Sequence, residues 1–122
     1  MRKGLFALLL LAFVPMTALQ AMPVSEFLAR ANALEKKGAM ALFSGDLKLL
    51  KGEIVGAAKT LSLERAAAQK AGRKPETCIP AKMSLSNSEL LAHFRSIPAP
   101  RRGISVKQGF AEFVRKKYPC PA

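Results

Sequence analysis

Apolar residues recur along most of this chain at intervals of three and four, the spacing of one buried stripe on a helix. Over 24–37 (VSEFLARANALEKK) the stripe is Val24, Phe27, Leu28, Ala31 and Leu34. Lys36 and Lys37 fall in the last turn, where cations suit the helix dipole, and Gly38 is a natural stop. Residues 39–43 (AMALF) form a short apolar link, at most a helical turn. Ser44-Gly45-Asp46 then offers a polar start to the longest pattern, 46–71, in which Leu47, Leu50, Ile54, Ala57, Leu61 and Ala68 share one face. Gly52 and Gly56 interrupt it. Each costs up to about 1 kcal/mol relative to alanine in a helix interior. Their presence predicts a place where a neighbouring helix approaches, or a bend. Gly72 ends the pattern, and Arg73-Lys74-Pro75 cannot continue it.

After the irregular stretch Thr77-Cys78-Ile79-Pro80, Ser86 and Glu89 stand at capping-box spacing. They predict a helix over 87–96 that turns Leu90, Leu91 and Phe94 inward, with Ile97 just beyond it. Pro98 to Gly103 reads as a rigid basic loop. Ser105 and Gln108 repeat the box spacing and open a helix over 106–117 that buries Val106, Phe110, Phe113 and Val114. Pro119 forbids its continuation. No segment alternates as a strand does. The expectation is an all-α fold, a small four-helix domain.

The N-terminus changes the picture of where this domain works. Residues 5–14 (LFALLLLAFV) are all apolar, but a stable membrane anchor needs about 20 such residues. The run fits a secretory signal peptide over 1–21, with Arg2 and Lys3 as its positive head and Leu19-Gln20-Ala21 before the cut. A cut after Ala18 competes. The expected product is a single domain over 22–122 in the periplasm, with no stable membrane insertion after cleavage. Both cysteines, Cys78 and Cys120, lie in that part. Two cysteines in a small exported protein usually form one disulfide, the alternative being two free buried thiols.

Charge narrows the function classes. The chain carries 20 Lys+Arg against 8 Asp+Glu. Leaving out Arg2 and Lys3 gives 18 against 8, a net charge of +10. A phosphate-binding glycine loop is absent, and His93 is the single histidine. No metal site, cofactor or catalytic triad is predicted, so the expectation is a binding protein rather than an enzyme. Nucleic acid is not the expected partner of an exported chain whose basic residues lack an aromatic base-stacking platform. A membrane role for helix 46–71 competes with the need of its apolar face for the core. An acidic protein partner remains, steered by opposite charge. Arg101 and Arg102 on the proline-stiffened loop, with Arg95 near by, are the candidate contacts.

The C-terminal half adds a resemblance. Cys78-Ile79-Pro80, an amphipathic helix, a proline-and-arginine loop and a helix closing in Tyr118-Pro119-Cys120-Pro121 resemble the Rap/Tai immunity proteins of bacterial type VI secretion systems. The match covers about residues 78–121, with Pro80, Tyr118 and Pro119 as motif residues beside the cysteines. The resemblance implies a periplasmic, all-helical inhibitor of an injected peptidoglycan amidase. It also implies a non-enzyme that often works as a homodimer. A periplasmic helical stress chaperone and an orphan member with another protein partner are the alternatives.

Overall fold

The computed structural model describes residues 21–82 and 84–121. The predicted signal peptide lies outside them except for Ala21. Four α-helices follow in order: α1 (Val24–Lys37), α2 (Gly45–Lys70), α3 (Asn87–Ser96) and α4 (Val106–Lys117). Two short 3-10 turns, Gly38–Phe43 and Ala99–Arg101, complete the helical content. No strand occurs among the described residues, and the all-α fold read from the periodicity and the single disulfide expected from the two cysteines are both observed.

Three of the four helices start at a serine cap, and α1 starts after Pro23 with no side-chain cap. Ser44 Oγ accepts from the Asp46 N–H at 3.3 Å and opens α2. Ser86 Oγ accepts from the Glu89 N–H at 3.1 Å, while the Glu89 carboxylate accepts from the Ser86 N–H, so the predicted box is complete. At α4 only half of the second box forms. Ser105 Oγ accepts from the Gln108 N–H at 3.1 Å, and no return bond from the Gln108 side chain occurs among the described residues. Gly38 and Gly72 follow α1 and α2 with φ of 57° and 72°, a region open to glycine at low cost.

The core is assembled from side chains between Met22 and Tyr118. Its centre is Phe94, Phe110, Val24, Val106 and Val114, all but sealed from solvent. Phe27 meets Phe94 edge to face with ring centroids 5.2 Å apart, a favoured arrangement because the ring edge is positive and the face negative. Two short backbone pairings hold the helix ends in place. Val24 N–H donates to Ile104 O, and Val106 N–H donates to Met22 O, joining the starts of α1 and α4. Cys78 N–H donates to Tyr118 O beside the Cys78–Cys120 disulfide, whose Cα atoms are 4.8 Å apart. The bridge therefore ties the irregular segment ahead of α3, rather than the start of α3 itself, to the end of α4.

Helix α2 departs from expectation in how it packs. It lies against α4 and α1, yet only Leu50 and Ala57 are fully buried, with Leu47, Ile54, Leu61 and Ala68 half-buried. Nothing lies within 4 Å of a Cβ built on Gly52 or Gly56, and both are exposed. The expected close approach at this pair is not there. The approach occurs instead at Gly109 in α4, where an added Cβ would stand 3.0 Å from Val24 Cγ2 and 3.2 Å from Phe94 Cε1. Because Gly52 and Gly56 face open space, replacing each by alanine should stabilise the domain by about 1 kcal/mol through helix propensity alone. Thermal melts of the two single variants and the double variant check this. An unchanged or lowered melting temperature would mean that the glycines serve a contact outside this chain.

Candidate functional site

The three arginines picked out from the sequence do lie near one another, but the fold engages each of them. Arg95 Nη2 reaches Glu35 Oε1 at 2.8 Å and Asn32 Oδ1 at 3.0 Å, which pins α3 to α1. Arg102 donates from Nε to Ile97 O at 2.9 Å and from Nη2 to Arg95 O at 3.0 Å, so its fork fastens the proline loop to the end of α3. Arg101 pairs with Glu112 of α4 at 2.9 Å. Each pair is at least partly exposed and contributes little stability by itself. The arrangement nevertheless makes Arg95 and Arg102 structural fasteners first.

Similar pairing takes up nearly all the acidic groups. Glu26 and Asp46 both bind Arg30, Glu64 binds Lys107, Glu76 binds Arg115 and Glu89 binds Lys117. Together with Glu35 and Glu112, this leaves Glu53 as the carboxylate without an ion pair among the described residues. Twelve cations remain without such a partner: Lys36, Lys37, Lys48, Lys51, Lys59, Arg65, Lys70, Arg73, Lys74, Lys82, Arg102 and Lys116. The surface field is therefore positive with little local compensation.

Several of these cations converge on a cavity of about 400 Å³ between the C-terminal half of α2, the segment 73–77 and α4. Leu61, Ala67, Ala68 and Ala111 give it an apolar wall, and Arg65, Arg73, Lys74 and Arg115 rim it. Arg65 is held by a single long bond, Nη1 to Ile79 O at 3.4 Å. Its Nε is buried and meets no acceptor among the described residues. A guanidinium with an unanswered N–H suits a carboxylate, which can accept two parallel bonds from its fork. Glu64 and Glu76 also line the cavity, turned toward Lys107 and Arg115 respectively. Sequence reading missed this cleft. In the helical pattern Arg65 is one polar position among several on α2, and only the return of α4 and of the chain at 73–77 builds walls around it.

The motif residues close the other side of the same segment. Tyr118 is half-buried against the core, and its hydroxyl donates to Ser84 O at 3.4 Å. Pro119 pairs with Thr77, which is buried, in an antiparallel bridge. Pro80 is exposed two residues beyond Cys78. These residues shape the disulfide corner, and none presents chemistry of its own.

His93 is half-buried beside Phe113, with ring centroids 5.4 Å apart, and its Nε2 has no hydrogen-bond partner among the described residues. Burial pushes its pKa below the ordinary imidazole value. Lys116 pushes the same way, and Glu112 with the Gly109 backbone partly offsets them. Glu89, one helical turn before His93, makes no bond to it. Glu89 turns to Lys117 at 2.8 Å, and that bond, with one from the Ser86 backbone, holds its carboxyl below the usual range. No cluster of three or more His, Cys, Asp or Glu side chains able to hold a metal occurs among the described residues.

Compared with protein-family models, curated proteins and solved structures, the chain finds no match in any of the three.

Proposed function

We propose that this chain is an exported, non-catalytic binding protein whose partner presents an acidic surface. On this reading the partner is a peptidoglycan amidase, and the chain acts as the immunity protein that inhibits it in the periplasm. The observation that carries the reading is the imbalance of pairing. Among the described residues, seven of the eight side-chain carboxylates are in ion pairs within the fold, while a dozen cations have no such partner and ten of these are exposed. A surface so arranged draws in an acidic macromolecule quickly and offers carboxylates little repulsion. The cleft around Arg65 gives such a partner a place to seat one acidic side chain. The Cys-x-Pro and Tyr-Pro-Cys resemblance over 78–121 supports the choice of an amidase among acidic partners.

The test is a coexpression. A cell-wall amidase encoded beside this chain is sent to the periplasm with and without it, and lysis is followed. Protection is expected, together with a complex on a sizing column and an association rate that falls as salt rises. Arg73→Glu with Lys74→Glu should slow association more than it speeds release, because rim charges act chiefly on encounter. Equal lysis in both cultures with no complex would overturn the amidase reading.

A further inference from the structure

Three large apolar side chains stand almost free of the fold in a single turn. Met40 is 67%, Leu42 74% and Phe43 85% exposed in the 3-10 turn Gly38–Phe43. Only Ala41 of this turn packs against the core. The turn joins α1 to α2 and so occupies one end of the helix pair. Cations stand directly behind it on both sides. Lys36 and Lys37 close α1, and Lys48 and Lys51 lie in the first two turns of α2. All four are exposed, and none is in an ion pair among the described residues. The adjoining carboxylates are held elsewhere, Glu35 by Arg95 and Asp46 by Arg30. Glu53, half-buried further along α2, is the carboxylate left over.

We propose that this end of the molecule docks on an anionic lipid bilayer, with Met40, Leu42 and Phe43 entering the interface and the four lysines reaching the headgroups. The order of the groups matches the order of the surface. A bilayer presents anionic headgroups first and hydrocarbon beneath, and here an apolar tip leads with cations set behind it. The kind of cation points the same way. All four are lysines, whose flexible stems let the ammonium rise to the headgroups while the methylenes stay in apolar surroundings. Protein interfaces are instead depleted in lysine and favour arginine, and the two arginines near this end, Arg30 and Arg95, are held in ion pairs with Asp46 and Glu35. Among the described residues no helix is long and apolar enough to cross a membrane, so the contact is peripheral. This inference goes beyond the proposed function and uses a different part of the surface from the cleft around Arg65.

The experiment uses the chain over 22–122, which contains the whole described core, with sedimented vesicles of phosphatidylcholine or of equimolar phosphatidylcholine and phosphatidylglycerol. Binding to the mixed vesicles and not to the neutral ones is expected. The double variant Leu42→Ser, Phe43→Ser keeps every charge and should lower partition by more than about tenfold, since each methylene withdrawn from the interface counts. Lys36→Ala and Lys48→Ala should each lower it about fivefold at low salt. Lys70→Ala with Lys74→Ala, at and just beyond the far end of α2, should have the smaller effect. Unchanged melting temperatures show that these exposed substitutions leave the fold intact. The natural chain has no tryptophan, so Phe43→Trp gives a single reporter whose emission should shift to the blue on mixed vesicles. Equal partition of the natural chain and the serine variant would overturn the proposal, as would an unshifted emission. A serine variant that keeps its vesicle binding but loses an acidic protein partner would assign the tip to that protein instead.

Discussion

Phe94→Ala should come close to unfolding the domain. The ring is wholly buried, meets Phe27 edge to face at 5.2 Å, and lies where Gly109 lets α4 come close. Its removal forfeits the transfer free energy of the ring and leaves a cavity that three rigid helices cannot close. Such truncations cost about 3–5 kcal/mol, against a total of about 5–15 kcal/mol for a small domain. In a domain of this size each lost kcal/mol lowers the melting temperature by roughly 4–8 °C. Urea unfolding of the natural chain and the variant should show a much lower midpoint with an unchanged slope. A loss below about 1 kcal/mol, the scale of an ordinary surface change, would contradict the central position of this ring.

The second large effect belongs to the Cys78–Cys120 bridge, which closes a separation of 42 residues. Constraining a loop of that length in the unfolded chain is worth about 4 kcal/mol in the chain-entropy model. Cys78→Ser, Cys120→Ser and the double variant should therefore lower stability by the same amount, because each removes one and the same constraint. The Cys78 N–H to Tyr118 O bond and the Thr77–Pro119 bridge remain to hold the corner. The single variants should accordingly still fold, as helical molecules with a lowered melting temperature. Thiol titration of the unfolded, unreduced natural chain should find no free sulfhydryl. Two reactive thiols per chain, or a double variant much worse than either single one, would refute this account.

The candidate site was only partly legible. Arg95, Arg101 and Arg102 were visible as a basic cluster because they fall on one loop and its flanking helix. Their engagement was invisible. Arg95 meets Asn32 and Glu35 across sequence separations of 63 and 60 residues, and Arg101 meets Glu112 across a helix start. Net charge could be counted, but which cations stay uncompensated depends on such distant pairings. The apolar link at 39–43 was seen as apolar and short. Its exposure was not foreseen, since a run of apolar residues ordinarily marks burial.

What the sequence determined by itself is the local part of the structure. The three-and-four spacing placed four helices, serines opened three of them, glycines followed two and prolines stopped the others, and the apolar stripe around Phe94, Phe110 and Val114 named the core. These signals act within a few residues, where the backbone's own hydrogen bonding and the helical repeat fix the outcome. The two cysteines, read together with the expected signal peptide, predicted the disulfide. The tertiary structure decided which of two kinds of glycine each one is. Gly109 lies on the apolar face of α4 at the spacing of Val106, Phe110 and Phe113, and it lets α4 approach Val24 and Phe94. Gly52 and Gly56 lie on the open face of α2 and meet nothing. It also decided that Arg65 should stand in a cleft and Phe43 in solvent. A side chain's neighbours come from elements far away in the chain, and one strand of sequence carries their periodicity but not their relative rotation.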